Sequence, residues 1–225
     1  MNTASYYLKL TLPVMLGYIP LGLVFGFLMT SQGISWYFAP LFSLLVFAGA
    51  IQFLAIPMVL AANSLLDIAI ATLLVNFRHL FYGMSLINLM PDTLLKKLYF
   101  IFCITDESYS LLTSYKTLNK REALIIVMLN HAYWMLGTVL GVTLADQIPA
   151  IAGLDFSLTA LFIVLFIEQL KNNFSFSALF IAGGSCLFAW LFFPDTFLIG
   201  ASLCALVMFY LQYKITEKKG VILSE

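Results

Sequence analysis

The chain has 225 residues, of which 62% are hydrophobic and 10% charged, with a mean hydropathy of +1.00. A soluble domain is closer to half apolar and about a quarter charged, so this chain has too little polar surface to coat a water-soluble globule and needs lipid as part of its solvent. Its 11 basic and 11 acidic residues cancel, which gives neither the basic excess of a nucleic-acid binder nor an acidic tail for a charged partner.

A helix needs about 20 apolar residues to cross the roughly 30 Å hydrocarbon layer, and it satisfies its backbone groups internally there. By that rule the fold class is all-α, a polytopic transmembrane helical bundle of about seven spans, some broken or kinked. The expected spans are 11–31, 36–62, 65–90, 123–145, a short 156–170, 174–193 and 196–213. The first carries Pro13, Gly17, Pro20, Gly22 and Gly26, which predicts a kink. The second has Ala48-Gly49-Ala50 near its middle, and the third contains Asn76, Arg78 and His79. Residues 1–12 lack a small-residue cleavage site after a short apolar core, so no removable signal peptide is expected. Cys103, Cys186 and Cys204 sit in apolar runs without metal-ligand spacing and read as packed thiols.

Residues 91–122 form a more polar connector within one transmembrane domain spanning 1–225. It holds Lys96, Lys97, Lys116, Lys120 and Arg121, with a short apolar stub at 98–104. Basic residues near span ends favour the cytoplasm. That puts this connector and the tail with Lys214, Lys218 and Lys219 inside, with four spans between them; three spans before the connector give an external N-terminus, and an extra re-entrant crossing gives an internal one. Phe42-Ser43-Leu44 is echoed by Phe156-Ser157-Leu158, each near the start of a span, which suggests an inverted repeat.

Arg78 is the most informative residue. A guanidinium at mid-span costs about 2.5–3.5 kcal/mol on insertion scales and needs an offset. Three readings stand: bidentate binding of a substrate carboxylate, a structural pair with Asp106, Glu107 or Glu168, and snorkelling to an interface. Helical spacing puts Asn76, His79 and Tyr82 or Gly83 on one face, with Arg78 and Tyr82 on the neighbouring strip. His79 reads either as a proton carrier or as a neutral hydrogen-bonding group. Gln52 follows the small residues at 48–50, where a broken helix would bare an N-terminus suited to an anion, or where close packing with one interhelical bond suffices. Asp106 and Glu107 read as proton acceptors or as the acidic first turn of a helix. Tyr133 and Trp134, beside Asn130 and His131, read as pocket lining or aromatic packing. No GxxxxGK[ST], HExxH or GxSxG pattern occurs, so no cofactor and no enzymatic activity are expected.

Several blocks then stand in order. They are Gly17-Tyr18-Ile19-Pro20 with Gly22 and Phe25-Gly26; Ala48-Gly49-Ala50-Ile51-Gln52-Phe53; Asn76-Phe77-Arg78-His79-Leu80-Phe81-Tyr82-Gly83; and Thr105-Asp106-Glu107. Tyr133-Trp134 with Gly137 and Gly141, and Gly153-Leu154-Asp155-Phe156 with Ala160-Leu161-Phe162, follow. Together they resemble AzlC-type proteins of the azaleucine-resistance family. The resemblance implies the large subunit of a branched-chain amino acid exporter in a bacterial cytoplasmic membrane, paired with a small AzlD-like membrane subunit. It also implies that Gln52, Asn76, Arg78, His79, Asp106 and Glu107 matter.

The sequence therefore predicts a secondary exporter of branched-chain or related hydrophobic amino acids, embedded in the lipid bilayer. The expected substrate-binding residues are Arg78, Asn76, Gln52, Gly49, Tyr82 and Trp134, with Phe53 helping to shape the side-chain pocket. His79, Asp106 and Glu107 are the proton-coupling candidates. Two alternatives are a non-transporting assembly subunit and a membrane-embedded lipid-modifying enzyme.

Overall fold

The computed structural model describes residues 3–115, 117–145, 147, 175–194 and 197–222, with single residues between 156 and 170. Every element among them is helical. The expected fifth span, Glu168 and the second copy of the Phe-Ser-Leu echo fall largely or wholly outside the described residues. The chain forms two compact units, 1–63 with 75–161, and 64–74 with 162–225.

In the first unit the long helices α1 (Thr3–Ser31) and α8 (Lys120–Ala145) pack along each other. Stretches within them, Ser5–Ser31 and Lys120–Ala145, are long and apolar enough to cross a membrane. Glycines cause the close approach. A Cβ on Gly22 would lie 2.6 Å from the Trp134 carbonyl oxygen, and Cβ atoms on Gly26, Gly137 and Gly141 would overlap the carbonyls of Thr138, Ile19 and Leu23. Two small-xxx-small faces thus meet backbone to backbone. Helix α1 continues through Pro13 and Pro20.

The expected second span is two helices, α2 (Phe38–Leu45) and α3 (Gly49–Leu60). Between them Val46 (φ −133°, ψ 87°) and Ala48 (φ −148°, ψ 90°) are extended. The expected third span also divides, into α4 (Leu65–Asn76) and α5 (His79–Ser85), bent by 42°. If that bent pair is one span, the helices able to cross number 3 among the described residues; Gly49–Leu60 and Phe176–Phe192 are apolar but shorter. Hydropathy sees the apolar run and misses the breaks, so it marks single spans where the backbone has two pieces.

A 3-10 turn (Ile87–Leu89) leads into the connector, which folds as α6 (Leu94–Phe102) and α7 (Asp106–Ser114). Phe100, Cys103 and Ile104 are buried while Leu98 and Ile101 are exposed, so one face of the apolar stub joins the core. Thr105 ends the break by capping α7, its hydroxyl accepting from the Ser108 amide at 3.2 Å. In the second unit α9 (Phe176–Phe192) packs on α10 (Phe197–Ile222), with Gly200 against Phe193. Cys186 is exposed, so only Cys103 is the fully packed thiol that the sequence suggested for all three.

Candidate functional site

An extended backbone at 46–48 frees carbonyls that a continuous helix would have satisfied, and in lipid these need partners. Helix α8 supplies them from one face. His131 Nε2 donates to the Ser43 carbonyl at 3.2 Å. A carbonyl only accepts, so a neutral ring leaves Nδ1 as the acceptor, and the Tyr99 hydroxyl donates to it at 2.9 Å. One turn on, the Trp134 indole N–H donates to Gln52 Oε1 at 2.7 Å, while Gln52 Nε2 donates to the Val46 carbonyl. Thr138 and Ser43 hydroxyls meet at 2.9 Å. A Cβ on Gly49 would lie 3.0 Å from the Trp134 ring, so the indole covers the start of α3, which has no side-chain cap. Gly49, Gln52 and Trp134 are thus brought together. The reading of Gln52 as a single interhelical bond understates it, because both ends of its amide hold the break.

The charged residues gather at the other break. Arg78 precedes α5 and pairs with Asp106 at 2.6 Å. Tyr82, one turn later, donates to the second oxygen of the same carboxylate at 2.5 Å and stacks on Tyr109 with ring centroids 4.3 Å apart. Asp106 also heads α7, where a helix N-terminus favours an anion. The Arg78 side chain is 38% exposed, yet its Nε is buried without a hydrogen-bond partner. Of the three readings of Arg78, the ion pair with Asp106 is the one realised in this structure. Asn76 and His79 do not join this carboxylate. His79 Nδ1 donates to the Asn76 carbonyl at 3.0 Å, across the turn at 77–78. The expected neighbours stay together across that turn: the His79 ring also stands edge-on to Tyr82 at 5.5 Å, while the Tyr82 hydroxyl reaches Asp106.

Glu107 points elsewhere. The Tyr18 hydroxyl of α1 donates to its Oε2 at 2.6 Å. Among the described residues the ion pairs are Arg78–Asp106 and the exposed Lys120–Asp92, so Glu107 has no cation. The Tyr18 ring stands edge-on to Trp134 (5.5 Å) and Phe47 (6.0 Å), which joins the charged cluster to the α2–α3 break. Phe53 is buried against Phe25 and Trp134. An apolar crevice of about 390 Å³ is walled by Met29, Ile34, Phe42, Val46, Ala55 and Val59, without Phe53. Sequence reasoning gave Tyr18 and Ser108 no role. Tyr18 carried a signal, a hydroxyl inside an otherwise apolar span; a serine in a polar connector carries none.

Mid-span helix breaks, full-length apolar helices and a polar interior define a helical integral membrane protein. The chain belongs to the AzlC family: its residues 13–148 match the family described as AzlC protein. It is 37% identical to the branched-chain amino acid transport protein AzlC of Bacillus subtilis, over 94% of this chain and 85% of that one. It is 38% identical to an uncharacterised membrane protein of Helicobacter pylori, over 72% of this chain and 74% of the relative. The inner membrane protein YgaZ of Escherichia coli is 31% identical over 73% of this chain and 72% of its own length. No solved structure matches the chain.

Proposed function

We propose that the protein is a secondary transporter, not an enzyme, that exports branched-chain or related hydrophobic amino acids. It works in the bacterial cytoplasmic membrane together with a small AzlD-like subunit. The name of the Bacillus subtilis relative supports the substrate class, and that of the Escherichia coli relative supports the membrane. The observation that carries the reading is the charge arrangement: Arg78 is held by Asp106, while the next carboxylate, Glu107, is turned to the Tyr18 hydroxyl and has no cation among the described residues. A free amino acid is dipolar. Its carboxylate matches the forked guanidinium, and its ammonium matches Asp106 and Glu107. Binding opens the resident pair and replaces it with two, so neither charge is left bare in a medium of low dielectric.

The remaining site residues act around that exchange. Tyr82 releases or regains Asp106 as the pair opens. Asn76 and His79 set the turn that aims Arg78. Gln52, Gly49 and Trp134 hold the second break, where the unpaired amides of α3 face an indole that forms one wall for the substrate side chain. Glu107, with no resident cation, takes a proton when the substrate ammonium leaves, which couples export to proton entry; Asp106 and His79 are the further titratable groups beside it.

The test is binding of leucine against its two half-charged analogues, 3-methylbutylamine and 4-methylpentanoate, to the purified full chain. A dipolar site loses at least about a hundredfold with either analogue, because one buried ionic partner is stranded. Equal binding of the deaminated acid overturns the reading.

A further inference from the structure

Beyond Tyr18, the Glu107 carboxylate is continued by a line of buried polar groups that the proposed function does not use. The Tyr18 and Thr105 hydroxyls lie 2.6 Å apart, those of Thr105 and Ser108 3.0 Å apart, and Asn130 Nδ2 lies 3.0 Å from Ser108 Oγ. Tyr18, Thr105, Ser108 and Asn130 are all buried, and they come from α1, the α6–α7 break, α7 and α8. Each hydroxyl has one proton to give. In this structure the Thr105 hydroxyl donates to Ser108; when Glu107 is ionised Tyr18 must donate to it, so the Thr105 proton turns to Tyr18, Ser108 donates to Thr105, and the Asn130 amide N–H donates to Ser108. When Glu107 is protonated its own O–H donates to Tyr18, and every bond in the line turns round. Ser108 then donates outward and needs an acceptor. Asn130 Oδ1 is buried and has no partner, and a half-turn of the amide presents it to Ser108.

We propose that Tyr18, Thr105, Ser108 and Asn130 form a reversible hydrogen-bond chain that reads the protonation state of Glu107 and transmits it to α8 as a rotation of the Asn130 amide. These are positioning residues. One proton is gained or lost at Glu107, and none passes Asn130, since an amide ends the line. The groups facing Glu107 are Asp106 on its own helix and Tyr18 from α1, with Arg78 and Tyr82 acting through Asp106. Asn130 lies one turn before Trp134, on the helix that grips the α2–α3 break. The amide rotation therefore occurs where that break is held. The inference rests on the proton-coupling part of the proposed function.

The test is the protonation midpoint of Glu107 in the detergent-solubilised full chain, followed by pH-difference infrared spectroscopy of the carboxylic C=O stretch, with Glu107→Gln identifying the band. Tyr18→Phe deletes a hydrogen bond to a charged group and raises the midpoint by about one pH unit, a tenfold shift. The side chains removed in Ser108→Ala and Asn130→Leu make no hydrogen bond to the Glu107 carboxylate, yet each variant raises the midpoint in the same direction by a smaller amount. Thr11→Val removes a buried hydroxyl bonded to Tyr133, off the line, and leaves the midpoint unchanged. If Ser108→Ala and Asn130→Leu also leave it unchanged, the chain is refuted, even where Tyr18→Phe acts; a shift of equal size in Thr11→Val refutes it as well, as general loosening. Leucine flux indifferent to a proton gradient, with the midpoint shifts present, sinks the coupling and leaves the chain standing.

Discussion

Breaking the Arg78–Asp106 pair from one side is the sharpest perturbation the structure offers. The contact is 2.6 Å, with side chains 38% and 23% exposed. A fully buried pair costs about 3–5 kcal/mol when one partner is removed, and an exposed pair about 0–1 kcal/mol. Partial exposure discounts the buried figure, so Arg78→Gln or Asp106→Asn alone should destabilise the chain by about 2 kcal/mol. Most of that is the penalty of leaving the other charge at depth without a counter-ion. The double variant strands neither charge, so its cost should fall to about 1 kcal/mol or less and not the additive 4 kcal/mol, a coupling of about 3 kcal/mol. The assay is a double-mutant cycle by reversible unfolding of the full chain in one mixed micelle. Additive singles would refute the pair as a source of stability and return Arg78 to the snorkelling or open-site readings.

Other outcomes follow from the same contacts. Gly141→Ala and Gly26→Ala force the α1 and α8 backbones apart and should each cost at least about 2 kcal/mol. Gly17→Ala and Gly83→Ala, with nothing within 4 Å of the new methyl, should be neutral or stabilise by about 0.5–1 kcal/mol through helix propensity; the same unfolding assay reads all four. Trp134→Phe leaves Gln52 Oε1 without its donor and should cost about 1–3 kcal/mol, seen also as faster hydrogen exchange at the α3 N-terminus. Lys120 holds the Asp92 carboxyl below the usual aspartate range. A depressed carboxyl contributes stability above its unfolded value and loses it as pH falls through the folded one. At this exposed site Asp92→Asn should produce no resolvable change in high salt, and a small loss only at low ionic strength and neutral pH.

Much of the fold was legible because lipid imposes a coarse rule on composition: apolar runs become helices. The glycines of the α1–α8 contact, at 22 and 26 and at 137 and 141, stand four residues apart in the sequence, yet that they face each other shows only in the fold. The breaks were only half legible. Ala48-Gly49-Ala50 pointed to one, while the turn at 77–78 lay hidden in an apolar stretch, because what tolerates it is Asp106, distant in sequence and near in space. The residues at the two breaks and the pairings between them differ in how far the sequence reveals them. Arg78, Asp106, Gln52 and Trp134 were all singled out, yet nothing in linear spacing pairs Gln52 with Trp134 or Tyr18 with Glu107. Such pairings depend on which faces of distant helices meet, and a single sequence does not encode that in any periodicity.

The account turns on a dipolar cargo exchanging with a resident ion pair. The most direct measurement is efflux of labelled leucine from vesicles holding the full chain with the proposed small subunit, native against Arg78→Gln/Asp106→Asn. The account predicts that this charge-neutral pair folds and inserts yet moves leucine no faster than empty vesicles. Native-like efflux by the doubly substituted chain would contradict it.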